Sequence, residues 1–160
     1  MARPPALRRS LSAWGVVALL TLLLAGCSAT SPITTAGSYE PSDGSGTELD
    51  GVRAGNLILL TAEQGASGTL LGYLTNSRDR AAEVSLDLPD GISIGSVRLE
   101  AGETVILGPD GDTELTVESV PAPPGAYLDV TMTTGSGSVP VSVPVLDGTF
   151  SQYADLVPDE

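Results

Sequence analysis

Val139-Pro140-Val141-Ser142-Val143-Pro144-Val145 alternates without a break. Valine takes every second position and faces one way, while proline and serine face the other, the period-two pattern of a strand with one buried face. β-branched residues favour the extended state, so local propensity agrees with the pattern. Two prolines lack the N–H that a ladder uses, so this strand is expected at an edge, or with at least one unpaired side. Upstream, from Val52 onward, short apolar runs are separated by Gly, Pro, Asn and Asp at intervals of roughly eight to twelve residues, the rhythm of small all-β domains. Leu57 to Thr61 and Thr69 to Thr75 read as buried strands, followed by a polar turn at Asn76-Ser77-Arg78-Asp79. Val84, Leu86 and Leu88 alternate with Ser85 and Asp87 and stop at Pro89-Asp90-Gly91. Ile92 and Ile94 continue inward, but Val97 and Leu99 are out of phase, so a bulge or break is expected at Gly95. Thr104 to Leu107, Glu114 to Val120 and Tyr127 to Thr133 complete the set, the last with Leu128, Val130 and Met132 inward. About eight strands in some ninety-five residues predict an all-β fold, an antiparallel β-sandwich.

Composition narrows what such a domain can do. The 160 residues include no histidine and one cysteine, and every basic residue is arginine. Most catalytic triads, Schiff-base chemistry, zinc clusters and intrachain disulfides are thereby excluded, and the abundant serines have no side-chain base beside them. Tyr73 and Tyr127 are the only aromatics between positions 52 and 146, so the core is aliphatic and stacking platforms for sugars or single-stranded nucleic acid are scarce. Two-carboxylate hydrolysis needs a deep cleft that a small sandwich rarely offers. No enzyme activity and no cofactor are expected.

The front of the chain has a different character. Arg3, Arg8 and Arg9 precede AWGVVALLTLLLA at positions 13–25, and the run stops at Gly26-Cys27. An apolar stretch of about thirteen residues is shorter than the roughly twenty needed to span a bilayer, and reads as a secretory signal peptide. Leu24-Ala25-Gly26-Cys27 has the form of a bacterial lipobox, in which small residues admit the peptidase and the cysteine sulfur takes a diacylglyceryl group. The competing state of Cys27 is a free thiol or an intermolecular disulfide. Two or three acyl chains, at about 0.8 kcal/mol per buried methylene, anchor a protein without a second signal. Arg8-Arg9 raises twin-arginine export, although general secretion fits better because only Leu11 supplies the apolar follow-up. After position 26, four arginines face twenty acids, a net charge of −16. Such a surface repels nucleic acid and anionic head groups, so no nucleic-acid partner is expected.

Residues 28–51 are rich in Ser, Thr, Gly and Pro without apolar period, and read as a tether with a reach of roughly 25 to 30 Å. At the other end, Phe150, Tyr153 and Leu156 recur every third residue among polar neighbours. This tail either folds back on the sandwich or offers the three side chains to a partner. Asp110, Asp112 and Glu114 form the one dense run of carboxylates, a weak Ca²⁺ candidate because the other ligands of an EF-hand loop are missing. A tight hairpin turn at Pro109-Asp110-Gly111-Asp112 accounts for the same residues.

The order of GTLLGYLTN (68–76), LEAGETVILGPDG (99–111) and VPVSVPV (139–145) resembles that of the PCuAC-type periplasmic copper chaperones, and the whole chain is similar to the actinobacterial Lpq-type (LpqE-like) lipoproteins related to them. The resemblance covers about residues 52–146 and implies an immunoglobulin-like or cupredoxin-like sandwich. In the copper chaperones, a His-x-Met pair after a Gly-containing hairpin, with an earlier His and Met, holds Cu(I). Here Thr113 and Leu115 stand where that pair would be, and neither ligates soft copper. The resulting expectation is a signal peptide (1–26), a lipidated Cys27 with a flexible linker (27–51), a β-sandwich (52–146) and an acidic tail (147–160). The function expected is a non-catalytic binding or assembly module on the outer face of the cytoplasmic membrane, held by lipid on Cys27 and acting on an envelope protein or the cell wall. The alternative is a metal-handling lipoprotein.

Overall fold

The computed structural model describes residues 42–158. The residues expected to form a signal peptide (1–26), with Leu24, Ala25 and Gly26 of the expected lipobox, Cys27 and most of the expected linker lie outside the described residues. Nine strands follow one another: β1 (Ser45–Leu49), β2 (Val52–Thr61), β3 (Gly68–Asn76), β4 (Ala82–Asp87), β5 (Ser93–Leu99), β6 (Thr104–Leu107), β7 (Thr116–Val117), β8 (Tyr127–Thr134) and β9 (Gly137–Leu146). They form two layers. One is the antiparallel ladder β5-β4-β8-β9, and the other is built on β2 and β3, with β1 beside β2 and both β6 and β7 beside β3. The layers are joined where the end of β9 runs parallel to β2 at Val145 and Leu146, opposite Leu59 and Leu60. The expected all-antiparallel pairing thus has one parallel exception, and the sheet nearly closes into a barrel. Its two ends approach at Gly95, where a methyl group would lie 2.8 Å from Leu115 Cδ2.

Between the layers sits an aliphatic core that includes Val52, Leu57, Leu70, Leu74, Val84, Leu86, Leu99, Val130, Met132, Val143 and Val145. In β9 Val141, Val143 and Val145 are buried as expected, but the alternation fails at Pro144, which is buried too where the strand reaches β2. Its place in the order corrects the edge assignment, since β9 lies between β8 and β2. The reason is one-sidedness. Val145 N donates to Ala126 O on the β8 side at 2.9 Å, so odd-numbered N–H groups of β9 face β8, and the donors that Pro140 and Pro144 lack belong to the opposite side. That side is bonded to β2 only at the strand's end; β1 lies beside β9 without joining it in a ladder.

The bulge expected near Gly95 is present: Leu86 faces Gly95 but Asp87 faces Ser93, leaving Ile94 over, and Gly95 has φ +152°. The extra residue brings Ile94, Val97 and Leu99 all to the core. Ile92, expected inward, is instead 45% exposed, because it follows the 3₁₀ turn Pro89–Gly91 and precedes the strand. The strand expected over Glu114 to Val120 shrinks to Thr116–Val117, since β6 already occupies the other half of β3.

The linker also begins the sheet earlier than its composition suggests. Ser45–Leu49 is β1, paired with β2 through a two-residue turn at Asp50 and Gly51, both with positive φ (49° and 73°). This is the geometry of a type I′ hairpin, for which Asp-Gly is a preferred pair. Arg78 secures the turn by donating to the carbonyl and the carboxylate of Asp50. Buried Asn76 holds the neighbouring loops, its amide donating to Arg80 O at 2.8 Å and Glu100 O at 2.9 Å.

Candidate functional site

The site begins with a defect in β2. Between Gly55 and Ile58 the register against β3 shifts, and Asn56 takes up the extra residue with φ 50°. A bulge of this kind bends the strand and re-aims its neighbours. It keeps Ala54 and Leu57 facing the core on either side. Asn56 Oδ1 accepts from Gly44 N at 3.0 Å, which fixes the chain entering β1.

Opposite the bulge, Leu71 and Tyr73 project from the outer face of β3 while Leu70 and Leu74 enter the core. Gly55 has no side chain to hold the Tyr73 ring away, and a methyl there would lie 2.2 Å from Tyr73 Cζ. Gly72, at φ +140°, has equally little room: a methyl would lie 2.8 Å from Gly55 O. On β6, Ile106 is the outward residue between buried Val105 and Leu107, and is 48% exposed. The result is a groove of about 330 Å³ over the β3–β6 ladder, lined by Asn56, Leu71, Tyr73, Ile106, Pro109, Asp110 and Leu156 among others.

The loop after β6 forms one wall. Gly108 O accepts from Gly111 N at 3.0 Å, so the turn spans Gly108 to Gly111 with Pro109 at its first corner. It is not the hairpin anticipated at Pro109-Asp110-Gly111-Asp112, because β6 and β7 both pair with β3 and not with each other. Asp112 Oδ2 accepts from Ile106 N at 2.8 Å, and Ile106 O accepts from the N–H groups of Asp112 and Thr113. The free edge of β6 is therefore closed at Ile106.

The tail forms the other wall. It folds into successive turns, with Tyr153 N donating to Phe150 O (2.9 Å) and Leu156 N to Tyr153 O (3.0 Å). The spacing of three thus places the three candidates one turn apart. Leu156 lines the groove, half-buried. Tyr153 donates its hydroxyl to Asp43 Oδ2 at 3.0 Å, and burial first, then this bond, raises its pKa above the ordinary value. Phe150 packs edge-on against Tyr153, with centroids 6.4 Å apart, and stays 56% exposed.

Two residues singled out for different reasons thus meet: Asp110, named as a cation ligand, and Leu156, named as a partner contact, line one groove. Asp112 is used as a backbone acceptor and Glu114 is exposed outside the lining. Among the described residues, no three of His, Cys, Asp and Glu gather where a metal ion could be held. Leu115, at one position of the family's ligand pair, is buried, and Met132 is 0% exposed. Leu71, Tyr73 and Ile106 were not singled out from sequence as site residues. The available signal was Gly55-Asn56, a break in an otherwise apolar strand.

Two packed layers with a bridging strand and an aliphatic interior define an all-β sandwich of the immunoglobulin-like or cupredoxin-like class. Among solved structures, the chain is similar to the apo PmoF2 PCuAC domain, with a TM-score of 0.51 and 14% identity over 66% of this chain and 97% of that one. At that identity the likeness is one of fold. No protein-family model and no curated protein matches the sequence.

Proposed function

We propose that this chain is an exported lipoprotein of the Lpq type, anchored through Cys27 to the outer face of the cytoplasmic membrane. Its sandwich serves as a non-catalytic binding or assembly module for an envelope partner. The observation that carries the binding reading is the groove, in which a bulged strand, two glycines and a folded-back tail keep Ile106 and Tyr73 at an open apolar surface. Bulges and left-handed non-glycine residues cluster at functional surfaces, where the surrounding fold holds them in place. A photoreactive residue at position 106 in living cells tests it. A discrete adduct in the membrane fraction is expected, and none from position 127, where exposed Tyr127 lies on β8. Equal capture from both positions would count against the groove.

Copper handling is the second reading, favoured by the PCuAC fold likeness. Against it stands the ligand inventory: no histidine, one cysteine at position 27, and after the initiator only Met132 as a thioether. Soft Cu(I) requires imidazole, thiolate or thioether groups that converge.

A further inference from the structure

We propose that the β3–β6 groove receives a cationic peptide segment, seating one aliphatic side chain between Tyr73 and Ile106 and placing a basic side chain against Asp110. The proposal rests on the binding-module reading and names its ligand class. Three features point to this chemistry.

The groove is walled mainly by apolar side chains. Leu156 reaches it from the tail, and Leu71, Tyr73, Ile106 and Pro109 supply further apolar lining at the small end of the range for ligand pockets, about 300–1,000 Å³. That volume suits an inserted side chain better than a folded domain surface. Shape alone would admit any small apolar group, so charge decides.

Asp110 is the one charged residue in the lining. Asp155 is exposed beside Leu156, Asp43 meets the Tyr153 hydroxyl, and Asp112 sits in the wall. The nearby Arg53 is engaged, its Nε donating to the Tyr73 hydroxyl at 3.3 Å. Arg78 and Arg98 form ion pairs with Asp50 and Glu100. An incoming cation therefore meets the Asp110 carboxylate in the lining, whereas an anionic segment meets repulsion.

Backbone geometry settles the mode of entry. Since both polar backbone groups of Ile106 are bonded to the following loop, the peptide cannot extend the sheet through them, and recognition falls to side chains. Among the described residues, every buried side-chain nitrogen and oxygen has a partner, so no buried polar atom awaits a ligand. Binding is then apolar contact plus rim charge, weak and salt-sensitive.

The test titrates the full-length chain with fluorescent nonapeptides having one central leucine among serines and glycines, flanked by arginines, by glutamates or by neither. The arginine peptide is expected to bind most tightly. Ile106→Ser is expected to weaken it about tenfold, the size of one lost aliphatic contact. Asp110→Asn is expected to weaken it about threefold and flatten its salt dependence. Unchanged melting temperatures of both variants exclude misfolding as the cause. If neutral and arginine peptides bind alike, with sensitivity to Ile106→Ser but not Asp110→Asn, the cationic proposal fails while the groove stands. If no peptide's binding responds to Ile106→Ser, the groove reading fails as well.

Discussion

At the scale of single residues, the groove depends on what is missing from Gly55. The Tyr73 ring lies where a methyl group would be, so Gly55→Ala must expel the ring and break the Arg53–Tyr73 bond. Overpacking of this kind costs about 1–3 kcal/mol, and the melting temperature is expected to fall by several degrees; an unchanged value would show that Tyr73 swings aside freely. Met132 carries the opposite lesson, a reactive atom out of reach. The purified domain, residues 28–160, is expected to bind Cu(I) no more tightly than a weak competing chelator under reducing conditions, because its one thioether is 0% exposed and that stretch contains no histidine or cysteine. One tight equivalent, lost on Met132→Leu, would put copper handling in first place. Tyr153 offers a check on the tail. Burial and the bond to Asp43 raise its pKa above the model-compound value of 10.0. A raised folded value means that the contribution is whole below the unfolded pKa and is lost as pH rises through the folded one. Absorbance titration is expected to show one tyrosine ionising late, and Asp43→Asn to bring it back toward the others.

At the scale of elements, the tail is neither free nor a full core member. Phe150 is mostly outside and Leu156 is half-buried in the groove. Phe150→Ala is therefore expected to cost well under the roughly 3–5 kcal/mol of a buried aromatic truncation, and Leu156→Ala to lower the melting temperature more. The reverse ranking would mean that Phe150 anchors the tail. The elements readable from sequence were those whose alternation is set by one buried face: β4, β6 and β8 show it, and β9 does as far as Val143. β1 was not, since SGTEL offers only Leu49 as an apolar contact and owes its state to pairing with β2. Its Asp50-Gly51 turn was the audible signal, lost within a Ser- and Gly-rich stretch. β7 was overestimated because Leu115, Val117 and Val120 do face inward, yet only two residues find a partner edge. The groove could not be read at all from periodicity. It arises from a shift of one residue in β2, which places Asn56 and Leu57 opposite Gly72 and so decides which side chains meet.

At the scale of the whole molecule, location is expected to hang on one atom, the Cys27 sulfur. Cys27→Ala is expected to release the protein from the membrane fraction or leave the precursor uncleaved, and to abolish labelling with a fatty-acid analogue; label persisting on the variant would end the lipoprotein reading. The net charge of −16 after position 26 would then keep neighbouring copies apart on a crowded membrane. Charge acts at a distance, and β9 supplies what is needed at contact. Its valine run is the segment of this chain most suited to templating a foreign strand, and its side away from β8 is bonded only at the end. Pro140 removes a donor that an invading backbone would need there and its exposed ring adds bulk, whereas Pro144 is buried. Restoring the donor as Pro140→Thr would leave the β8 ladder intact while offering that exposed position to other molecules. Pro140 is thus expected to act as a gatekeeper against fibrillar association, on the side of the strand that the β8 ladder does not use.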